Sequence, residues 1–505
     1  MIQNDVTIFI FVLLLKNKIK GNKGILIRIP TEAIMKALLF NPPGSLFQRG
    51  EERCQADIEG SATVTLRPPN DLGYMASILR LIGVETVIRD YPARGEDFRK
   101  LVADIIDFRP DLVVMSSTVG TVREDMEAFK IIKKIRSSII CIAKGAPFMV
   151  YPPDTFKSDE YEAMDFALRG ETEFVIGELV SAIKHGGPLD GLKGIIWRND
   201  ANFFHSPPAH FIENLDSLPF PARDLMDNHL YTLPGGESLA TIQVSRGCPA
   251  RCIYCLTPMI SGKRLRQRSV KNVIAEIKEC VEKYGISNFF FRADTFTLNK
   301  SFVIDLCRAI LQSGLPIRWV ANSRPDTLDE EKLFWMKKAG CWLIALGIES
   351  GSEETLEKSR KGISRDDSIR AVRLIRKTGI KVYGFFMIGF PWENERHIKE
   401  TMKLAKALKC DFPEVHIAVP YPGTELYKMA VSLNLLSGPE VGYNYFSMPL
   451  IGTQYLSRED LQIFRKKFLR SLYFNPVYIV KTLGGIRNLP EAFTYIKRGL
   501  KLLRK

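Results

Sequence analysis

Two successive runs of short apolar segments alternate with helical stretches, and this alternation constrains the fold more than any other feature of the chain. From Met35 the segments "KALLFN", "ETVIRD", "DLVVMSS", "SIICIAKG" and "DFALRG" are too short for helices and rich in branched residues. Between them lie "DLGYMASILRLIG", "EDFRKLVADIIDF" and "VREDMEAFKIIKKIR", which carry helical patterns. Five strands alternating with helices predict a parallel, doubly wound, Rossmann-like sheet over residues 35–186. A stretch dense in Pro and Gly, residues 187–236, reads as a linker. The alternation then restarts with "TIQVSR", "NFFFRAD", "RWVANS", "WLIALGIES", "KVYGFFMIG" and "EVHIAV". Six βα units over residues 237–434 predict a partial (β/α)6 barrel of the TIM type, with active residues at strand C-terminal ends. Residues 435–505 read as a helical tail.

A chain of 505 residues is too long for one ordinary core, so several domains are expected. Its 46% hydrophobic and 25% charged residues exclude a disordered chain and a polytopic membrane protein. Near the N-terminus "VTIFIFVLLL", Val6 to Leu15, falls short of the roughly 20 residues that span a bilayer. It also lacks the flanks of a secretory signal. Met35 is the expected start, with residues 1–34 an over-extension.

The formal charge of +14 is concentrated at one end. Leu461 to Lys505 holds eleven Lys or Arg against a single acid, Glu491, for a net +10. Leu461, Phe464, Phe468 and Leu472 recur at helical spacing, as do Phe493, Ile496, Leu500 and Leu503. These are basic amphipathic helices, suited to packing on the body or to an anionic membrane surface, with nucleic acid the less favoured partner.

Three of nine cysteines fall within eight residues, in "SRGCPARCIYC". The other six, Cys54, Cys141, Cys280, Cys307, Cys341 and Cys410, stand singly among apolar residues and read as core. No secretory signal precedes them, so a reducing cytoplasm is the expected compartment, with contact at the inner membrane face through the tail. Cys248, Cys252 and Cys255 follow the first barrel strand, where Gly247 and Pro249 delay a helix. A disulfide has no place in that compartment. Structural zinc wants a fourth ligand, and the nearest, Cys280 and His229, belong to other elements. A four-iron cluster held by three cysteines leaves one iron open.

This C-x-x-x-C-x-x-C spacing, with an aromatic residue before the third cysteine, resembles the radical S-adenosylmethionine superfamily. The resemblance implies that Cys248, Cys252 and Cys255 hold a 4Fe–4S cluster and that S-adenosylmethionine chelates the open iron. It assigns the cofactor's contacts to Tyr254, Asp294 of "FRADTF", Arg324 of "ANSR", Glu349 and Ser350 of "GIESG", and Gly389 of "FMIGFPWE". Ala293 stands where many relatives have a second Asp.

The segment before the barrel resembles the cobalamin-binding domain found in front of many of these enzymes, through "NPPG", "DLGYMASILRLIGVETVIRD", "PDLVVMSST" and "LRGETEFVIGELV". The resemblance covers residues 35 to about 435 and points to Asp90, Ser116, Ser117, Thr118 and Gly145 for cobalamin. In "DYPARG" Pro92 replaces the ligand histidine, and no histidine precedes His185, so a lower axial imidazole from this domain is excluded. Either cobalamin binds without a protein ligand or the domain is scaffold; Lys144 stands where relatives have glycine. The resemblance implies radical modification of an unactivated carbon, first of all cobalamin-dependent C-methylation. One alternative is radical carbon–carbon bond formation, ring closure or oxidation of a lipid drawn in from a membrane. Another is a non-catalytic iron–sulfur adaptor. A one-electron donor of ferredoxin or flavodoxin type and a small-molecule or lipid substrate are the expected partners.

Overall fold

Strand alternation sorts the first sheet's side chains onto two faces. The computed structural model describes residues 34–50, 56–58, 65–199, 202–437, 441, 444, 448–486 and 488–504, so the apolar run at 6–15 and Cys54 lie outside the described residues. Five parallel strands, β1 (Lys36–Asn41), β2 (Glu85–Asp90), β3 (Leu112–Ser117), β4 (Ile140–Gly145) and β5 (Phe166–Leu168), run in the order β2-β1-β3-β4-β5. Helices α1 (Asn70–Leu81), α2 (Phe98–Phe108), α3 (Val122–Ile135) and α4 (Glu173–His185) connect or follow them. Ala37 and Leu39 pack with α1 and α4, whereas Leu38 and Phe40 pack with α2 and α3. Both faces are therefore covered, as a doubly wound sheet requires. The order reverses between β1 and β3, which opens a crevice at the strand C-terminal ends.

The sheet is larger than the sequence indicated. Residues 195–205, read as linker, form β6 (Ile195–Asn199) and β7 (Asn202–His205), which extend it antiparallel beyond β5. Burial of Ile195 and Ile196 and the stacking of Trp197 on Phe204 at 5.2 Å supply the apolar contacts that hold the hairpin. The remainder of the Pro-rich segment runs as short turns pinned to both domains. Tyr231 donates to Asp90 of the first domain at 2.9 Å, and Arg223 donates to the Thr241 carbonyl of the barrel at 2.9 Å.

The second sheet has six parallel strands in sequence order: β8 (Leu239–Gln243), β9 (Asn288–Arg292), β10 (Arg318–Ser323), β11 (Cys341–Glu349), β12 (Lys381–Ile388) and β13 (Phe412–Ile417). Helices α5 (Val270–Tyr284), α6 (Lys300–Ser313), α7 (Glu330–Lys338), α8 (Arg365–Lys377) and α9 (Glu395–Leu408) cover its outside. Each starts at a side-chain cap, in turn Ser269, Asn299, Asp329, Ser364 and Asn394, worth about 1 kcal/mol apiece. After α10 (Glu425–Ser432), the tail helix α11 (Arg458–Tyr473) buries Leu461, Phe468, Leu469 and Leu472 in the same core and lies along β13. The first tail helix is thus part of the barrel. Two further helices, α12 (Pro476–Gly484) and α13 (Leu489–Arg504), follow it.

Candidate active site

The three cysteines sit on a loop closed at its base by a two-residue ribbon. Ser245–Arg246 pairs antiparallel with Arg266–Gln267, so residues 247–265 leave and return at one point of the first barrel strand's C-terminal end. Gly247 is required there: its φ is 90°, and a Cβ would stand 2.0 Å from the Arg264 carbonyl oxygen. Cys248, Cys252 and Cys255 are in no disulfide and are half-buried. The five other described cysteines are buried among apolar residues, as expected, and burial raises the Cys280 thiol to about 11 and the Cys307 thiol to about 12. Among the described residues no three His, Cys, Asp or Glu side chains close around a single ion. Three accessible thiols on one loop at the strand ends are the donor set that a thiolate-held iron–sulfur cluster takes.

Asp294 organises that loop. Its carboxylate accepts the Gly247 N–H at 2.6 Å and the Thr257 hydroxyl at 3.4 Å, while the Thr257 N–H reaches Cys255 Sγ at 3.4 Å. Arg324 Nη1 lies 3.9 Å from Cys252 Sγ, held by Asp326 at 2.9 and 3.0 Å and by the Lys361 carbonyl at 2.7 Å. Burial opposes its charge, but Asp326 and the sulfurs of Cys252 and Cys248 raise it above the ordinary arginine value. A fixed positive charge therefore faces the sulfur side of the loop.

Next to Arg324 stands a buried ion pair, Glu349 with Lys361 at 2.8 Å. Glu349 adopts φ 66°, an unusual backbone for this residue at a strand end. Gly347 leaves room for the pair, since a Cβ there would meet Glu349 Oε1 at 2.7 Å and Lys361 Nζ at 2.9 Å. Burial of its hydroxyl, then Glu349, Cys252 and Cys255, push Tyr254 well above the ordinary phenol value. The Tyr254 ring meets Phe390 edge-on at 5.7 Å, and Phe390 stacks on Trp392 at 5.2 Å, which walls the site.

Ser350 and Gly389, like Asp294, Arg324 and Glu349, are engaged within the protein. The Ser350 hydroxyl is fully buried, pairs with Thr401 Oγ1 at 3.0 Å and accepts the Ser352 N–H at 3.1 Å, so it shapes the turn after β11. Gly389 needs its glycine for φ 90° and for the crowding of Ile417 and Leu461, each 3.0 Å from a Cβ; its N–H donates to Glu393 at 2.7 Å. Sequence reading did not single out Lys361, whose meaning depends on a partner on another element, nor Glu393, which was quoted within its motif but given no role.

The first domain presents a wall of a cleft shared with the barrel. The cleft is open to solvent, with Gly50, Asp71 and Lys144 on one side and Thr241, Arg292 and Asp294 on the other. Lys144 and Asp71 form a buried pair at 2.6 Å, and Lys144 works against burial to hold the Asp71 carboxyl below its ordinary value. The hydroxyls expected to contact cobalamin are engaged internally: Ser116 donates to Asp71 at 2.9 Å, Ser117 to Asp125 at 2.5 Å, and Thr118 pairs with Thr121 at 2.9 Å. Gly145 has φ 130°, and a Cβ would strike the Ser117 carbonyl oxygen at 2.1 Å, so it serves strand packing. Asp90 caps the single turn Tyr91–Arg94 and accepts from Tyr231. Each of these five residues therefore has a partner or a packing role within the protein. The cleft itself fits a polar ligand, because Thr241 Oγ1 on its wall and Asn322 Oδ1 beside Asp294 are buried without a hydrogen-bond partner.

Fold and site together define a two-domain α/β enzyme built around a three-cysteine loop at the mouth of a parallel barrel. The radical SAM superfamily profile matches residues 242–405. "Uncharacterized methyltransferase PH0819" of Pyrococcus horikoshii is 33% identical over 452 residues, 89% of this chain and 95% of that protein. Cytidylyl-2-hydroxyethylphosphonate methyltransferase of Streptomyces wedmorensis is 25% identical over 467 residues, 82% of this chain and 85% of that one. The solved structure of the radical S-adenosylmethionine methyltransferase TsrM from Kitasatospora setae, with cobalamin and a 4Fe–4S cluster bound, shares the fold at TM-score 0.67 and 18% identity, over 94% of this chain and 99% of that one. The chain belongs to the radical SAM superfamily and is a radical SAM enzyme with a cobalamin-binding-like region before the barrel. No helix among the described residues is long and apolar enough to cross a membrane.

Proposed function

We infer that the protein is a cobalamin-dependent radical SAM methyltransferase acting on an unactivated carbon. The observation that carries this reading is a cleft lined from both sheets, with Asp71 and Lys144 of the first domain and Arg292 and Asp294 of the barrel on its walls. The methyltransferase names of the two relatives and the cobalamin bound in TsrM support the same reading. Cys248, Cys252 and Cys255 would hold the cluster, and the cleft would hold the corrin, without an axial ligand from residues before His185. When bound, the cluster supplies an electron that cleaves S-adenosylmethionine to a 5′-deoxyadenosyl radical, and cobalamin supplies a transferable methyl group.

The chain's own residues orient and shield. Asp294 fixes the cysteine loop through Gly247 and Thr257, and Arg324 sets a positive charge beside Cys252. The Glu349–Lys361 pair offers a carboxylate for hydroxyl groups and an ammonium for a carboxylate, and Tyr254, Phe390 and Trp392 exclude water from one side. A one-electron donor of ferredoxin or flavodoxin type completes the scheme. The test is anaerobic turnover with S-adenosylmethionine carrying a labelled methyl group: label in product, with a corrinoid absorbance on the purified protein, supports the reading. Release of 5′-deoxyadenosine without label in product overturns methyl transfer.

A further inference from the structure

The last helix is amphipathic the wrong way round for a water-facing surface. On α13, Leu489, Phe493 and Ile496 lie on one stripe and are 81%, 77% and 60% exposed. Glu491, on the other face, is 4% exposed and accepts from Tyr495 at 3.3 Å. The helix before it, α12, also turns out Val480 and Leu483, at 70% and 62% exposure. Apolar side chains face solvent while a carboxylate is covered, and the flanking residues belong to the net +10 of the last 45 residues.

We propose that α12 and α13 are a docking surface for an anionic lipid bilayer, lying in the headgroup plane with this apolar stripe inserted. Charge complementarity selects the occupant: exposed apolar side chains, with Lys497 exposed beside them, on a segment whose last 45 residues carry a net +10 match an anionic interface. A second copy of the chain would bring two surfaces of the same strong positive charge together. Nucleic acid gains little from Leu489, Ile496, Val480 and Leu483, because bases stack on aromatic rings and Phe493 is one ring among four aliphatic side chains.

The anchor stands at the end of the barrel opposite the cysteines. Tyr478 donates to the Asp411 carbonyl at 3.0 Å, just before β13, and Asn488 donates to Gly235 at 3.3 Å, just before β8. Both contacts are at strand N-terminal ends, whereas the cluster loop is at the C-terminal ends. A docked enzyme holds its cleft away from the bilayer, so the surface fixes location and orientation and does not feed a lipid into the site.

The test is flotation of the full chain with vesicles of phosphatidylglycerol and phosphatidylcholine in equal parts, against phosphatidylcholine alone. The chain floats with the first and stays free of the second. Phe493→Glu and Leu489→Glu each weaken the partition by roughly tenfold or more, and Lys497→Glu by roughly tenfold, with thermal unfolding unchanged because these side chains are exposed. Any of four results overturns the proposal: no flotation of wild type, undiminished flotation of Phe493→Glu, a wild-type dimer that Phe493→Glu converts to monomer, or retention on RNA with none on vesicles.

Discussion

Glu171 accepts from both terminal nitrogens of Arg266, at 2.8 and 2.6 Å, with each side chain only 4% exposed. Arg266 lies on the ribbon at the base of the cysteine loop, and Glu171 lies just before α4 in the first domain. The neighbouring ribbon residue Arg246 pairs with Glu173 and lies 3.5 Å from Glu171. The loop that carries the thiols is therefore fastened to the first domain by buried charge, and neither domain presents it alone.

Replacing Glu171 leaves two arginines buried with one carboxylate fewer. Glu171→Gln is expected to cost about 3 to 5 kcal/mol in chemical denaturation. The same variant is expected to retain less iron after anaerobic reconstitution, because the loop base loses its anchor. A variant with full iron content and unchanged stability would show that the pair is incidental.

The cysteines divide into two kinds. Cys252→Ala is expected to abolish 5′-deoxyadenosine release and the cluster's visible absorbance. Cys307→Ala opens a methyl-sized gap in the barrel core, where Cys307 is fully buried, and is expected to cost about 1 kcal/mol while the cluster remains. Loss of absorbance in both variants would remove the distinction.

Lys361 and Glu349 are buried, so cutting either side leaves an uncompensated charge. Lys361→Met is expected to destabilise by about 3 to 5 kcal/mol. The double variant Lys361→Met with Glu349→Gln is expected to regain most of that loss. Half-saturation by S-adenosylmethionine, read from 5′-deoxyadenosine release, is expected to rise at least about tenfold in the double variant, the equivalent of one lost charge-assisted hydrogen bond. Recovery of both stability and affinity would assign the pair to folding alone.

The strands of both sheets were legible because each is a branched apolar run with turn residues at its ends. The hairpin at Ile195–His205 was not: Pro188, Gly191, Gly194, Pro207 and Pro208 around it read as linker, and its partner β5 is only three residues long. The cysteine trio was legible since its spacing is local. Glu171 and Glu173 stood in a quoted motif, yet their partners lie 95 and 73 residues further on, a separation that no periodicity reports. The tail shows the limit of amphipathic patterning. Leu461 and Phe468 turn inward on α11, whereas Phe493 and Ile496 turn outward on α13; helical spacing tells which face is apolar but not what lies against it.

Glu393 carries a pH dependence with a defined sign. It is fully buried and accepts from the Gly389 N–H at 2.7 Å, the Phe390 N–H at 3.1 Å and the Thr355 hydroxyl at 3.0 Å. Burial outweighs these donors and raises its carboxyl from 4.5 to about 7. The folded protein thus keeps a proton that the unfolded chain gives up as pH passes 4.5. The stability from this group is fully present below that pH and is lost as pH climbs through about 7, on the order of 3 kcal/mol in all. Glu393→Gln removes the titration but keeps a neutral group of the same shape. Chemical denaturation of both proteins between about pH 4.5 and about pH 8 is expected to show the wild type losing stability relative to the variant as pH rises. Parallel curves across that range would mean that Glu393 is ionised throughout, and that the loop after β12 is built around a buried charge.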